Sequence, residues 1–145
     1  MLLSHITRVI SIVLIIGLAL PIQAETDPDS LFQQAQASFD AEQYQTALSQ
    51  IEQAVALVPG NSSYHHLLGK CYGRLAKQAN PLTALSLAKK TRKALEKAVE
   101  LDGNNVDALQ DLMKYYQQAP GFLGGSKDKA AKIQERLETI ETAPG

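Results

Sequence analysis

The chain has 145 residues, with 14 basic and 15 acidic side chains and a net charge of −1. That near-neutral balance argues against a nucleic-acid binder, and a single cysteine, Cys71, leaves no internal disulfide. The length allows one domain with a modest core.

Residues 1–24 read as a secretory signal. His5 and Arg8 give a weakly positive start, Val9 to Leu20 is almost wholly apolar, and Pro21-Ile22-Gln23-Ala24 predicts cleavage after Ala24. The apolar run is short for a membrane span, and the alternative is an uncleaved anchor. Membrane association is expected only through such an uncleaved segment, and no cysteine near the cut offers a site for lipid. Without Arg8 the remaining domain, 25–145, carries 13 basic and 15 acidic side chains, a net charge of −2. A signal followed by one thiol predicts a periplasmic or secreted protein.

The first helix is predicted from Pro28 to about Ala41, capped by Asp27, with Leu31, Ala35 and Phe39 on its apolar stripe. The second starts near Gln43 and ends before Pro59-Gly60. Its buried face is expected to hold Tyr44, Ala47, Leu48, Ile51, Ala54, Val55 and Val58. Asn61 or Ser62 caps the third, whose apolar set is Tyr64, Leu67, Leu68, Cys71, Tyr72 and Leu75. Asn80-Pro81 repeats the cap-then-proline device and opens a fourth helix that meets no breaker until about Leu101. The fifth carries Val106, Leu109, Leu112, Met113 and Tyr116 and stops at Ala119-Pro120-Gly121. Ser126 caps a sixth, with Ala130, Ile133, Leu137 and Ile140 on its apolar face. Six helices joined by short connections predict an all-α domain of antiparallel neighbours.

Small and apolar residues also recur at offsets of about 34 residues, the period of a stacked helical hairpin. The clearest copy is Leu31, Ala35, Tyr44, Ala47, Ile51, Ala54 and Pro59. A second begins with Leu68, Gly69 and Tyr72 and resumes with Leu95, Ala98 and the turn Leu101-Asp102-Gly103-Asn104. A third contains Leu109, Leu112, Met113, Tyr116, Ala130 and Ile133. On these residues the chain resembles the tetratricopeptide repeat (TPR) family. The resemblance implies a short solenoid of three repeats, at about 28–61, 62–105 and 106–142. Gln34 departs from the usual leucine, and the middle unit runs about ten residues over length around Ala79 to Leu87.

The resemblance further implies that the first helix of each pair lines a concave surface that holds a protein or peptide. Carried onto this chain, that surface comprises Asp29, Phe32, Gln36 and Phe39, then Ser63, His66, Lys70 and Arg74, then Gln110, Lys114 and Gln117. His66, Lys70 and Arg74 stand four apart, hence on one helix face, and an adjacent pair of phenylalanines suits an acidic or C-terminal peptide. Some family members clamp a carboxylate with lysine and asparagine in the first unit; Phe32 and Gln36 stand there instead. The reading is an exported binding scaffold rather than an enzyme, since no nucleophile, base and orienting group share a motif spacing.

An alternative is a membrane-surface or envelope-complex assembly factor that meets anionic groups, lipid or polyanion, through Lys89, Lys90, Arg92, Lys93 and Lys97. These side chains are expected opposite Leu85, Ala88, Leu95 and Val99. His65-His66 lacks metal-ligand spacing, so no metal or cofactor is expected, and His65 is read as a packing residue. In Gly121-Phe122-Leu123-Gly124-Gly125-Ser126, successive amides could hold an anion. The structural reading makes Phe122 and Leu123 a core plug and uses the glycines for positive φ. The polar outer side of the last helix (Lys132, Glu135, Arg136, Glu138) caps the stack and favours a monomer.

Overall fold

Each predicted cap finds its amide. The computed structural model describes residues 27–143 and contains α1 (Pro28–Asp40), α2 (Tyr44–Leu57), α3 (Ser62–Gln78), α4 (Pro81–Leu101), α5 (Val106–Gln118) and α6 (Lys127–Thr142). Residues 1–24, read above as a signal, lie outside the described residues, as does any anchor formed by them. Ser30 N–H donates to Asp27 Oδ2 at 2.9 Å, and Thr83 N–H to Asn80 Oδ1 at 3.0 Å. Asn61 and Asn105 receive Tyr64 N–H and Ala108 N–H at 3.2 and 3.0 Å, and Ser126 Oγ receives Lys129 N–H at 3.2 Å. Each satisfies an amide that a helix start leaves without a partner.

Only α2 lacks such a cap, because the preceding turn is built differently. Gln43 N–H donates to Ser38 O at 2.8 Å and Glu42 N–H to Phe39 O at 3.0 Å, the paired bonds of a left-handed helix stop. Glu42 takes the left-handed position at φ 59°, where glycine is the usual occupant.

The helices stack as three antiparallel hairpins with two clusters of buried side chains. The larger joins Leu31, Ala35, Phe39, Ala47, Ile51, Ala54, Tyr64, Leu67 and Cys71. The smaller joins Leu95, Leu112, Tyr116 and Ala130. Ala47 and Ile51 have no exposed surface, and a Cβ built on Gly69 would stand 2.9 Å from Leu95, so α3 and α4 approach at the contact distance that only glycine permits. Cys71 is buried in the larger cluster, and burial pushes its thiol up to about 12.

Polar bonds tie consecutive hairpins. Tyr72 OH donates to Glu52 Oε1 at 2.8 Å and Tyr116 OH to Glu96 Oε1 at 2.7 Å, the same link made twice. Ser62 Oγ donates to Ala98 O at 2.8 Å and accepts from Asn105 Nδ2 at 2.9 Å, which fixes the second hairpin's base to the third.

The middle hairpin is the long one, with 17 and 21 residues in α3 and α4 against 13 and 14 in α1 and α2. Aligned on the repeated Glu–Tyr link, its surplus runs from Leu75 to Leu87, about two helical turns. This is wider than the excess expected around Ala79 to Leu87, because both helices are extended.

Several expected core positions are corrected. Val58, Val106 and Leu85 are exposed: each sits at a helix end or on the extension, where no neighbouring hairpin reaches. In the glycine-rich turn, a 3-10 turn spans Gly121–Leu123; Leu123 is buried but Phe122 is 74 % exposed, since consecutive side chains of a 3-10 turn diverge by about 120°. Among the described glycines only Gly124 has positive φ; Gly125 is needed because a Cβ would meet Ala119 O at 1.7 Å. The amides of Leu123, Gly124, Gly125 and Ser126 donate to Pro120 O, Gly121 O, Pro120 O and Tyr116 O, so they are not free to hold an anion.

Candidate functional site

The inner helices α1, α3 and α5 enclose a cleft of about 200 Å³ that is open to solvent. Its floor is Thr91 and Leu95 of α4, visible between α3 and α5 because α3 carries Gly69 and Gly73 there. One rim is Lys70, Arg74 and Lys77, spaced along one face of α3. The other rim is Asp111, Lys114, Tyr115 and Gln118 of α5, and Phe39 of α1 closes the side.

Phe39 organises the basic rim. Lys70 Nζ stands 4.7 Å from its ring centroid and Arg74 Cζ 5.9 Å, so the two cations share one aromatic ring. Tyr44 packs edge-on against the same ring at 5.2 Å and holds it in place. The only carboxylate lining the cleft among the described residues, Asp111, is already engaged: His66 Nε2–H donates to its Oδ2 at 2.7 Å. That bond holds the Asp111 carboxyl below the usual carboxylate range, with partial burial opposing it and the charges of His66, Lys70 and Lys114 assisting. The hydroxyls are engaged too, Thr91 Oγ1 with Leu87 O at 2.9 Å and Tyr115 OH with Leu123 O at 3.0 Å. What the cleft offers a visitor is therefore positive charge beside aromatic surface.

Of the residues singled out in the sequence, Phe39, Lys70, Arg74 and Lys114 come together here, with His66 behind them through Asp111. The others lie elsewhere. Phe32 stacks on Tyr64 at 5.0 Å, and Asp29 accepts from Tyr64 OH, so the start of α1 is spent on packing. Gln36, Ser63 and Gln110 are exposed and do not line the cleft. Gln117 turns away to a separate hollow between α5 and α6 with Lys127, Ala130, Ala131 and Gln134. Lys77, Asp111, Tyr115 and Gln118 were not in the sequence-derived set. Helical spacing carries the signal for two of them: Lys77 follows Arg74 by one turn, and Asp111 precedes Lys114 by one.

The Lys89–Lys97 cluster is divided by its neighbours. Arg92 pairs with Glu96 at 3.4 Å and lies across Gly124, its Nε without a hydrogen-bond partner. Lys97 pairs with Glu100 at 2.9 Å, and Lys90 Nζ lies 5.3 Å over the Tyr72 ring. His65 is half-buried, as a packing residue would be, and its Nε2–H donates to Pro59 O at 2.8 Å. Among the described residues no group of three or more metal-ligating side chains assembles.

No protein-family model matches the sequence, and no curated protein matches it. Solved structures do match in shape. The crystal structure of MamA superposes with a TM-score of 0.62 at 21 % identity, over 80 % of this chain and 59 % of MamA, so the chain spans less than two thirds of that protein. The TPR domain of Arabidopsis OM64 superposes with a TM-score of 0.53 at 16 % identity, over 77 % of this chain and 94 % of the domain. Together with the three stacked hairpins, these likenesses establish an all-α, TPR-like solenoid as the fold of this chain.

Proposed function

We propose that the protein is an exported, non-catalytic scaffold that binds an acidic, extended protein segment in the cleft between α1, α3 and α5. The observation that carries this reading is the arrangement of Lys70 and Arg74 over Phe39, with Lys77 beyond them and Lys114 across the opening. Cations already seated on an aromatic face lose little side-chain freedom when a carboxylate arrives. The ring itself offers apolar area for the partner's aliphatic carbons. Asp111 bonds to His66 and makes no direct ion pair with Lys70 or Lys114, so both ammonium groups stay available to a partner's carboxylate. The TPR-like fold supports protein interaction as the general role.

The order of regions in residues 1–24 supports export, to a periplasm or outside the cell. Intact-mass analysis of the protein from cell fractions tests it: a species starting at Glu25 in the exported fraction is expected, and full-length protein in the cytosol contradicts it.

The binding test is a calorimetric titration of the full chain with short Asp- and Glu-rich peptides. The expected result is measurable binding that weakens with salt and is lost in Lys70→Glu with Arg74→Glu. Unchanged affinity in that variant contradicts the cleft.

A further inference from the structure

The extension of the middle hairpin carries side chains that the fold does not use. Leu82 is 81 % exposed and Leu85 is exposed as well, and both fall in the Leu75–Leu87 surplus. Neither tightens a hairpin seam. They stand where the α3–α4 connection projects past the loop of the first hairpin by about 10 Å, at the end of the stack that also presents Phe122. The two insertions of the chain meet there: Ala76 and Ala88 of the long hairpin share an apolar hollow with Pro120 and Leu123 of the glycine-rich turn.

The charge on the long hairpin near this tip has one sign. Between Glu52 and Glu96 the sequence contains no acidic residue, while Lys70, Arg74, Lys77, Lys89, Lys90, Arg92 and Lys93 all fall in that interval. Leu82, Leu85, Lys89 and Lys93 follow one another at three- and four-residue steps, so they form a single outward stripe that runs from apolar tip to basic flank. Lys77, Lys89 and Lys93 make no ion pair among the described residues. Asp40, Glu42 and Asp128 are the acids at this end, and they sit on the shorter flanking elements, set back from the tip.

We propose that the elongated α3–α4 tip is a contact point for an anionic lipid bilayer, with Leu82, Leu85 and Phe122 entering the interface and Lys77, Lys89 and Lys93 meeting the headgroups. A bilayer interface accepts isolated apolar side chains on a convex projection and draws basic residues to its surface. A second copy is disfavoured as occupant because two such hairpins would bring like charges together. An acidic protein would need a groove here, and the exposed leucines stand on a ridge. The surface shares Lys77 with the rim of the peptide cleft, whereas Leu82, Leu85, Lys89, Lys93 and Phe122 lie outside it, so substitutions at those positions test the tip independently of the cleft.

The chain contains no tryptophan, so Leu82→Trp in the full-length protein gives a single reporter at an exposed position. The probe is vesicles of phosphatidylglycerol and phosphatidylcholine, with pure phosphatidylcholine alongside. The expected result is a blue shift and quenching by brominated acyl chains with the anionic vesicles alone. In the same background Lys89→Glu with Lys93→Glu should weaken vesicle binding by roughly tenfold or more. Leu57→Trp, at the opposite end, should remain unshifted; this separates the tip from the apolar N-terminal segment. Unchanged emission at the tip, or an equal shift at both positions, overturns the proposal. So does a shift that grows with protein concentration without vesicles, which identifies a second copy, or one produced by polyglutamate but not by vesicles, which identifies an acidic protein.

Discussion

The second helices of the three hairpins carry the same pattern of small and large residues but meet different fates. Ile51 on α2 and Leu95 on α4 are sealed, each between its own hairpin and the one that follows. On α6 the corresponding stripe of Ile133, Leu137 and Ile140 is only half-buried, and Ala130 alone is fully covered. The difference lies in what packs on the far side. A hairpin in a solenoid buries its apolar face against its successor, and no successor stands beyond α6 among the described residues. The stability of this fold is therefore concentrated around α3, which has a hairpin on either side and carries the basic rim of the cleft.

The largest test of that asymmetry is a pair of truncations followed by denaturant unfolding. Ile51→Ala should cost about 2–5 kcal/mol, because it opens a cavity in a closed seam. Leu137→Ala should cost only about 1 kcal/mol, since its surroundings are already partly wet. Equal losses would break the comparison. Gly69→Ala comes next: the added methyl must displace Leu95, itself locked in the seam, at a cost of about 1–3 kcal/mol. Met113, half-buried, stands at the matching place on α5, where α6 lies less tightly against its helix.

The tyrosine links probe the same seams through pH. Tyr72→Phe and Tyr116→Phe should each cost about 1 kcal/mol, as a hydrogen bond to a charged acceptor is lost. Burial first, and the Glu52 and Glu96 bonds second, push both phenols above their ordinary value of 10.0; Tyr64 is pushed up to about 12 by burial and then by Asp29. The unfolded chain ionises these groups near 10, whereas the folded chain holds their protons. Their contribution is thus full below pH 10 and is lost as pH rises through the folded values. A melting temperature that is flat from neutrality to pH 9 and falls beyond pH 10 is expected, with a smaller alkaline fall in the two phenylalanine variants.

The smallest effect has the opposite sign. Glu42→Gly should stabilise the chain by about 0.5–1 kcal/mol, because glycine occupies the left-handed turn without the penalty a side chain incurs.

Helix boundaries were legible because the chain punctuates itself. Asp27-Pro28, Asn61, Asn80-Pro81 and Ser126 each carry a local signal that tertiary contacts did not override, whereas the cap Asn105 was not singled out within its polar turn. The turn at Glu42 was not legible, since glutamate gives no sign of left-handed backbone. The Glu–Tyr links were visible in principle: Glu52 with Tyr72 and Glu96 with Tyr116 share a spacing of 20 residues, but hydrophobic pattern matching does not register polar pairs. Half of the cleft was legible for a related reason. Spacing along α3 places Lys70 and Arg74 on one face, whereas the engagement of Asp111 by His66 depends on how far apart α3 and α5 stand. Phe122 and Leu123 are alike in hydropathy, and only the geometry of their turn decides which one is buried.

Hydrogen exchange of the full chain, with and without a bound acidic peptide, tests the central claim most directly. Without peptide, α3 should exchange slowest and α6 fastest. With peptide, new protection should concentrate on α3 from Gly69 to Gln78 and on α5 from Asp111 to Gln118. Protection confined to α6, or to the outer side of α4, would contradict the account.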